Sequence, residues 1–262
     1  MSAIILEGDI VHYEVLGRGR PVIFLHGWVG SWRYWIPSMQ ATSTAYRAYA
    51  LDLWGFGDTA KSPNRYSLES QTDLLDSFLS EMGIGKVALV GHGLGAVVAL
   101  LYAQKLSFVV DRVMVVGLPV KQEDLSERLQ SESPTELATW LLAQDPAMEA
   151  ARAEAPKADT EAIKTSLENL QALDLAGLTN TTTTATLLVH GQNDPAVKPS
   201  LGEVNGSLPS NAHRIVFEES AHFPMLDQPS KFNRLLADFL ALESGESPRQ
   251  LQLKEEWKRR VR

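Results

Sequence analysis

The stretch Val87-Ala88-Leu89-Val90-Gly91-His92-Gly93-Leu94-Gly95-Ala96-Val97-Val98 decides the fold. Its first four residues form an apolar run of the length of a buried strand, and from Leu94 to Gln104 the chain reads as a helix. Gly91 and Gly95 stand two places either side of Gly93. That spacing lets a sharp turn pass close to neighbouring backbone while its central residue stands clear of the sheet. In a turn of this kind the central side chain carries an attacking atom. Position 93 is glycine, so the turn is present and the attacking atom is not.

On both sides of this turn short apolar strands alternate with helices. Ala3 to Leu6 and Ile10 to Val15 alternate around Glu7-Gly8-Asp9 like a hairpin, and Val22-Ile23-Phe24-Leu25 and Tyr46 to Leu51 read as strands. A helix begins at Leu68 behind the cap Ser67, carries Leu68, Leu75, Phe78, Leu79 and Met82 on one face, and stops at Gly83. Val113 to Val116, Thr186 to Val189 and Arg214 to Phe217 are further core strands, and Lys231 to Leu242 closes the pattern as a helix. This order predicts an α/β fold with a mostly parallel central sheet flanked by helices.

Between Lys121 and Leu178 the alternation gives way to helices alone. Ser133-Pro134-Thr135-Glu136 is a capping box with proline at the first helical position, Asp145-Pro146 starts another helix, and Ile163, Leu167, Leu170 and Leu173 form an apolar stripe. The expected division is a core of residues 1–120 and 179–243, a small helical cap of residues 121–178, and a charged tail of residues 244–262.

The chain has 262 residues, 44% of them hydrophobic, which suits one globular α/β domain. Its net charge of −8 disfavours nucleic acid or an anionic membrane as a general partner and leaves a small molecule as the expected one. From Arg249 to Arg262 six basic residues face two acidic ones, a local charge of +4 that leaves −12 on the remainder; a solvated terminal helix accounts for it. There is no cysteine, hence no disulfide and no thiolate nucleophile. Met1 to Asp9 lacks the basic start and apolar stretch of a signal peptide, and Ala96 to Ala103 is too short to span a bilayer, so a cytoplasmic setting is expected. Oligomeric state is open.

Four signatures together resemble the α/β-hydrolase superfamily from about Val11 to Leu242. They are the turn at Gly93, His26-Gly27-Trp28 after a strand, Asp52-Leu53-Trp54-Gly55-Phe56-Gly57-Asp58-Thr59 after the next, and the pair His190-Gly191-Gln192-Asn193-Asp194-Pro195 and Ser220-Ala221-His222-Phe223-Pro224 near the end. The resemblance implies that Gly93 occupies the nucleophile position, that Asp194 is the acid and His222 the base, and that the backbone N–H groups of Trp28 and Leu94 form an oxyanion hole. It also implies structural roles for His26, His92 and His190, a bracing role for the Asp52 loop, and specificity from Leu137, Trp140, Leu141 and Leu142 of the cap. Trp28, Trp32, Trp35 and Trp54 fall in the two loops expected to border the implied site, either as an aromatic pocket lining or as packing for the loops themselves. Ser31 lies nearby, but nothing in the pattern aims its hydroxyl at His222.

With no hydroxyl at position 93 the acyl-enzyme route is closed. The expected function is hydrolase-like chemistry on a small apolar ester, lactone or thioester through the His–Asp pair and a water in the space the serine side chain would fill. The alternatives are a catalytically silent small-molecule binding protein and an engineered serine-to-glycine form of a serine hydrolase. No metal or cofactor is implied: there is no cysteine, and Gly91-x-Gly93-x-Gly95 lacks the spacing of a dinucleotide fingerprint.

Overall fold

A computed structural model describes residues 2–199 and 208–253. Eight strands form one sheet: β1 (Ser2–Leu6), β2 (Asp9–Gly17), β3 (Arg20–Leu25), β4 (Tyr46–Leu51), β5 (Val87–His92), β6 (Val110–Val116), β7 (Ala185–Gly191) and β8 (Ala212–Phe217). Their order is β1-β2-β4-β3-β5-β6-β7-β8. The hairpin β1–β2 is antiparallel and joins β4 antiparallel, and all pairings from β4 to β8 are parallel. The expected α/β architecture is therefore the observed one.

Helices cover both faces: α1 (Ile36–Thr42), α2 (Leu68–Glu81) and α3 (Leu94–Lys105) precede the interruption, and α9 (Pro224–Asp227) and α10 (Pro229–Ala241) close the fold. Between β6 and β7 lie only helical turns: α4 (Arg128–Ser131), α5 (Pro134–Leu141), α6 (Glu149–Glu154), α7 (Thr160–Leu170) and α8 (Leu175–Asn180). Ser133 caps α5 with the reciprocal Glu136 contact its sequence signals. Asp145-Pro146 opens a single 3₁₀ turn, Pro146–Met148, before α6 begins at Glu149. Pro248–Gln250 is a 3₁₀ turn against β8, and the basic residues Lys254 to Arg262, on which the expected terminal helix falls, lie outside the described residues.

Sheet position dictates composition. Every residue of β5 and β7 is buried, since neighbouring strands and helices enclose both faces; β5 is a continuous apolar run up to its terminal Gly-His, and β7 is apolar up to its terminal His-Gly except at Thr186, whose hydroxyl donates to the Thr184 carbonyl. Helix α3 is buried along most of its length and carries no polar face until Gln104. Together these elements place the turn at Gly93 in the centre of the sheet's carboxyl edge, where open α/β sheets bind ligands.

One buried charge ties the sheet to the last helix. Arg112 on β6 is 2% exposed and donates to Asp111 Oδ2 (2.8 Å) and to the Phe239 carbonyl (2.7 Å). Burial would raise the Asp111 pKa, but hydrogen bonds from Ser244, Arg112 and Lys86 bring it down to about 2. Arg112→Ala is expected to cost about 1–3 kcal/mol in urea unfolding, because Asp111 and the Phe239 carbonyl both lose their buried donor, although Ser244, Lys86 and the Leu242 N–H remain to them. A loss of under about 1 kcal/mol, the size of a surface pair, would contradict this anchor.

Candidate active site

Gly93 adopts φ 49°, ψ −111°, a combination outside the regions open to L-residues, and it caps the N-terminus of α3. Its N–H donates to the Val116 carbonyl and its carbonyl accepts from Ala96 and Val97, which fixes the turn between β5 and α3. A Cβ at position 93 would stand 3.0 and 3.1 Å from Cε3 and Cζ3 of Trp28. The space expected for a water in place of a serine side chain is thus bordered closely by an indole ring. Trp28 is fully buried, and its Nε1–H donates to Ser166 Oγ on α7 (3.0 Å).

Asp194 and His222 meet beside this turn. His222 Nδ1 lies 3.0 and 2.9 Å from Asp194 Oδ1 and Oδ2, with both side chains essentially inaccessible to solvent. A Cβ on Gly191 would strike the Ala221 carbonyl at 1.9 Å. Only glycine therefore lets the end of β7 come close enough to the His222 loop for the pair to form. Asp194 Oδ1 also accepts from the backbone N–H of Ala196 (2.8 Å) and Val197 (3.0 Å). Burial would raise the Asp194 pKa; the neighbouring His222 and these amides outweigh it and hold the carboxyl below the usual carboxylate range. With Nδ1 facing an ionised carboxylate, that nitrogen carries the proton and the lone pair sits on Nε2. His222 Nε2 is buried and has no hydrogen-bond partner among the described residues.

Neither the Trp28 nor the Leu94 backbone N–H finds an acceptor among the described residues. Both flank the turn, Trp28 through its ring against the Gly93 position and Leu94 as the first residue of α3. Trp28 and Leu94 thus flank Gly93, while the His222 ring, bonded to Asp194, lies 4.5 Å from that of His92, the residue before Gly93.

The other expected residues divide. His26 is buried, accepting from the Leu53 N–H at Nε2 and donating from Nδ1 to the Gly27 carbonyl, which holds the Asp52 loop to the Trp28 loop. Asp52 accepts from the N–H of Trp32 and Asp58 and from His12, a bracing arrangement. Its carboxylate, His12 and Asp58 bring ligand-type atoms within 4.8 Å. Asp52 is already occupied by those donors and Asp58 by Lys157, so the cluster is a set of ion pairs rather than a metal cradle. Ser31 donates to Glu154 of α6 (3.0 Å), away from His222.

Of the four tryptophans only Trp28 lies against the turn. Trp35 packs between Phe24 and Phe232, Trp54 stacks under Arg65 and Trp32 against His12 and Arg33, so these three serve the loops. In the cap, Leu137, Leu141 and Leu142 are buried, while Trp140 stacks on the Arg128 guanidinium at 4.1 Å on a partly exposed face. A cavity of about 700 Å³ between α2, α3 and α7 is lined by Leu68, Thr72, Leu101 and Leu173 and does not reach Gly93 or His222.

Three residues have no local signal in the sequence. Ser166 holds the Trp28 indole; Glu154, only 5% exposed, joins the cap to the Trp28 loop through Ser31 and Arg33 (2.9 Å). Tyr34 accepts from the Gly27 N–H and contacts His92. Each matters through partners distant in the chain, which periodicity and motif spacing do not register.

Comparison with known proteins fits this geometry. The alpha/beta hydrolase family model matches residues 22–235. The chain is 27% identical to the putative carbamate hydrolase RutD of Stutzerimonas stutzeri (strain A1501) over 90% of this chain and 98% of that protein. It is 29% identical to a soluble epoxide hydrolase of Corynebacterium sp. (strain C12) over 113 residues, 43% of this chain but only 40% of that protein's length. A solved meta-cleavage product hydrolase from Pseudomonas fluorescens IP01, an S103A mutant, superposes with a TM-score of 0.79 at 27% identity, covering 92% of this chain and 97% of that one. The chain belongs to the alpha/beta hydrolase family. No described helix is long and apolar enough to cross a membrane.

Proposed function

We propose that this alpha/beta hydrolase family member hydrolyses a small apolar ester, lactone or thioester by direct attack of water, with His222 as general base and Asp194 as the group that orients it. The observation that carries the reading is the buried, unpartnered Nε2 of His222, whose ring is fixed through Nδ1 by Asp194. An unsatisfied buried acceptor costs about 1–3 kcal/mol, so its retention beside two free amides favours a chemical use. One relative matched over nearly its whole length is named a putative carbamate hydrolase, which favours a carbonyl substrate over an epoxide.

In this reaction water gives a proton to His222 Nε2 as its oxygen bonds to the carbonyl carbon. The carbonyl oxygen becomes an oxyanion between the Trp28 and Leu94 N–H groups. Collapse re-forms the carbonyl and expels the alkoxide or thiolate, which takes the proton back from His222. No covalent enzyme intermediate forms, because Gly93 has no side-chain atom to attack. The Trp28 ring restricts the water to the His222 side of the turn.

A second reading, a silent binding protein, is favoured by the same tryptophan, since its ring closes on the nucleophile position while its N–H donates to Ser166 of the cap. Turnover of p-nitrophenyl acetate and butyrate, a lactone and a thioester by the parent, His222→Ala and Asp194→Asn separates the two. Water-mediated hydrolysis predicts parent turnover that falls about 10²–10⁴-fold in His222→Ala, the range general-base catalysis supplies. Equal rates in parent and His222→Ala would remove His222 from the chemistry and leave the binding reading.

A further inference from the structure

We infer that Tyr34 and His92 are positioning residues that clamp the oxyanion loop to the base loop by a path that bypasses residue 93, an inference that rests on the proposed roles of Trp28 and His222. Three hydrogen bonds run in series. The Gly27 N–H donates to Tyr34 Oη (2.6 Å), the Tyr34 hydroxyl donates to His92 Nδ1 (3.0 Å), and His92 Nε2–H donates to the His222 carbonyl (2.9 Å).

The direction of every bond is forced. A peptide N–H only donates, so the Tyr34 oxygen accepts from Gly27 and has its own proton left for His92. A carbonyl only accepts, so His92 carries its proton on Nε2 and its lone pair on Nδ1. One neutral tautomer satisfies all three contacts. Its setting agrees: burial, aided by the adjacent His222, keeps the His92 pKa well below the ordinary histidine value, and burial keeps the Tyr34 hydroxyl protonated. Both side chains are at most 2% exposed, where a hydroxyl or imidazole without partners would be costly.

The ends of the chain are what give it consequence. Gly27 precedes Trp28, whose ring borders the turn and whose N–H has no acceptor among the described residues, and the His222 carbonyl belongs to the residue whose ring meets Asp194. His92 itself precedes Gly93. The spacing between oxyanion donor and base is therefore set by Tyr34 and His92, and a missing nucleophile leaves it intact. Packing alone is a distinct possibility, since the Tyr34 ring meets His92 edge-on at 5.7 Å and also packs on Trp35 at 5.2 Å. Tyr34→Phe removes only the hydroxyl and keeps the ring.

The test is NMR of the full chain labelled with ¹⁵N-histidine, following the His222 Nδ1–H proton, which is identified by its loss in His222→Gln. In Tyr34→Phe this resonance is expected to move upfield and its exchange with water to quicken about three- to tenfold, the range that loss of one net hydrogen bond gives. His92→Leu should do the same, and His92→Gln, which can still donate to the His222 carbonyl, should return the signal towards the parent. Trp35→Phe, which loosens packing on Tyr34 without touching the bonded chain, should leave it in place. An unmoved resonance in Tyr34→Phe, or an equal shift in Trp35→Phe, overturns the inference. This readout needs no turnover, so it stands apart from the ester assays that judge the proposed reaction.

Discussion

Replacing Gly93 by serine is expected to give a less stable protein that releases a stoichiometric burst of p-nitrophenolate from p-nitrophenyl acetate. Both effects have the same structural origin. At φ 49°, ψ −111° a side chain of L configuration is strained by about 1–3 kcal/mol. The added Cβ must also push Trp28, whose nearest ring atom stands at 3.0 Å. A domain of this size loses roughly 2–4 °C of Tm per kcal/mol, so the loss is easily seen by thermal unfolding. On the proposed roles, once Trp28 yields, the new hydroxyl meets a base oriented by Asp194 and two unpaired amides, and the acyl-enzyme route opens. Gly93→Ala is the control: it should lose stability as the serine form does and show no burst. An unchanged Tm in both would contradict a strained turn. A folded Gly93→Ser without a burst would mean that Trp28 turns the hydroxyl from His222, and Gly93→Ser with Trp28→Leu should then restore it.

What could be read from the sequence follows from how local each feature is. The β5–Gly93–α3 turn is announced by an apolar strand, a glycine pattern and an apolar helix within about twenty residues, all set by local packing and backbone sterics. Asp194 and His222 sit in different loops, each after a recognisable strand, and their pairing was legible only through the resemblance to the hydrolase family. The Trp28 side chain was not. Its backbone position follows from the His26-Gly27-Trp28 turn, but the direction of its ring depends on Ser166, 138 positions away. Tyr34 and Glu154 were hidden for the same reason, since a buried tyrosine or glutamate acquires meaning only from distant partners. For Trp32, Trp35 and Trp54 the sequence left pocket lining and loop packing both open, and their observed partners place all three in loop packing. Asp145-Pro146 announces a helical start correctly, but the first turn is too short to bury a face and settles as 3₁₀ before α6.

Stability is expected to fall steeply between about pH 6.5 and pH 4, a limb set by histidines rather than carboxylates. His26, His92 and His190 are all buried, and in each burial is the main force lowering the pKa. Asp52 opposes it only in part at His26, His222 adds to it at His92, and Arg214 adds to it at His190, which is lowered to about 4. As pH falls below about 6.5 the unfolded chain takes up protons on these three residues and the folded chain does not. The unfolded state therefore gains relative to the native one, by up to about 1.4 kcal/mol per pH unit for each histidine. His12 works against this. Burial lowers its pKa, but the hydrogen bond and charge of Asp52 outweigh that and leave it raised, so its contribution is present at low pH and lost as pH rises through its folded value. His213, its pKa also lowered by burial, adds a fourth of the same sign, so four residues oppose one and the net slope stays positive. Below about pH 4 the depressed carboxyls of Asp194 and Asp111 add a second limb, the latter extending to about pH 2. Urea unfolding from pH 8 to pH 4 measures the first limb directly, and His92→Gln, which removes one of the four groups, should flatten it. A stability constant from pH 7 to pH 5 would contradict the assignment of neutral buried histidines. Because His92 is bonded to both Tyr34 and the His222 carbonyl, its forced protonation breaks the Tyr34 contact first. Acid should therefore loosen the candidate site before it unfolds the sheet, and exchange of the His222 Nδ1–H proton should quicken at a pH where the global transition is still complete.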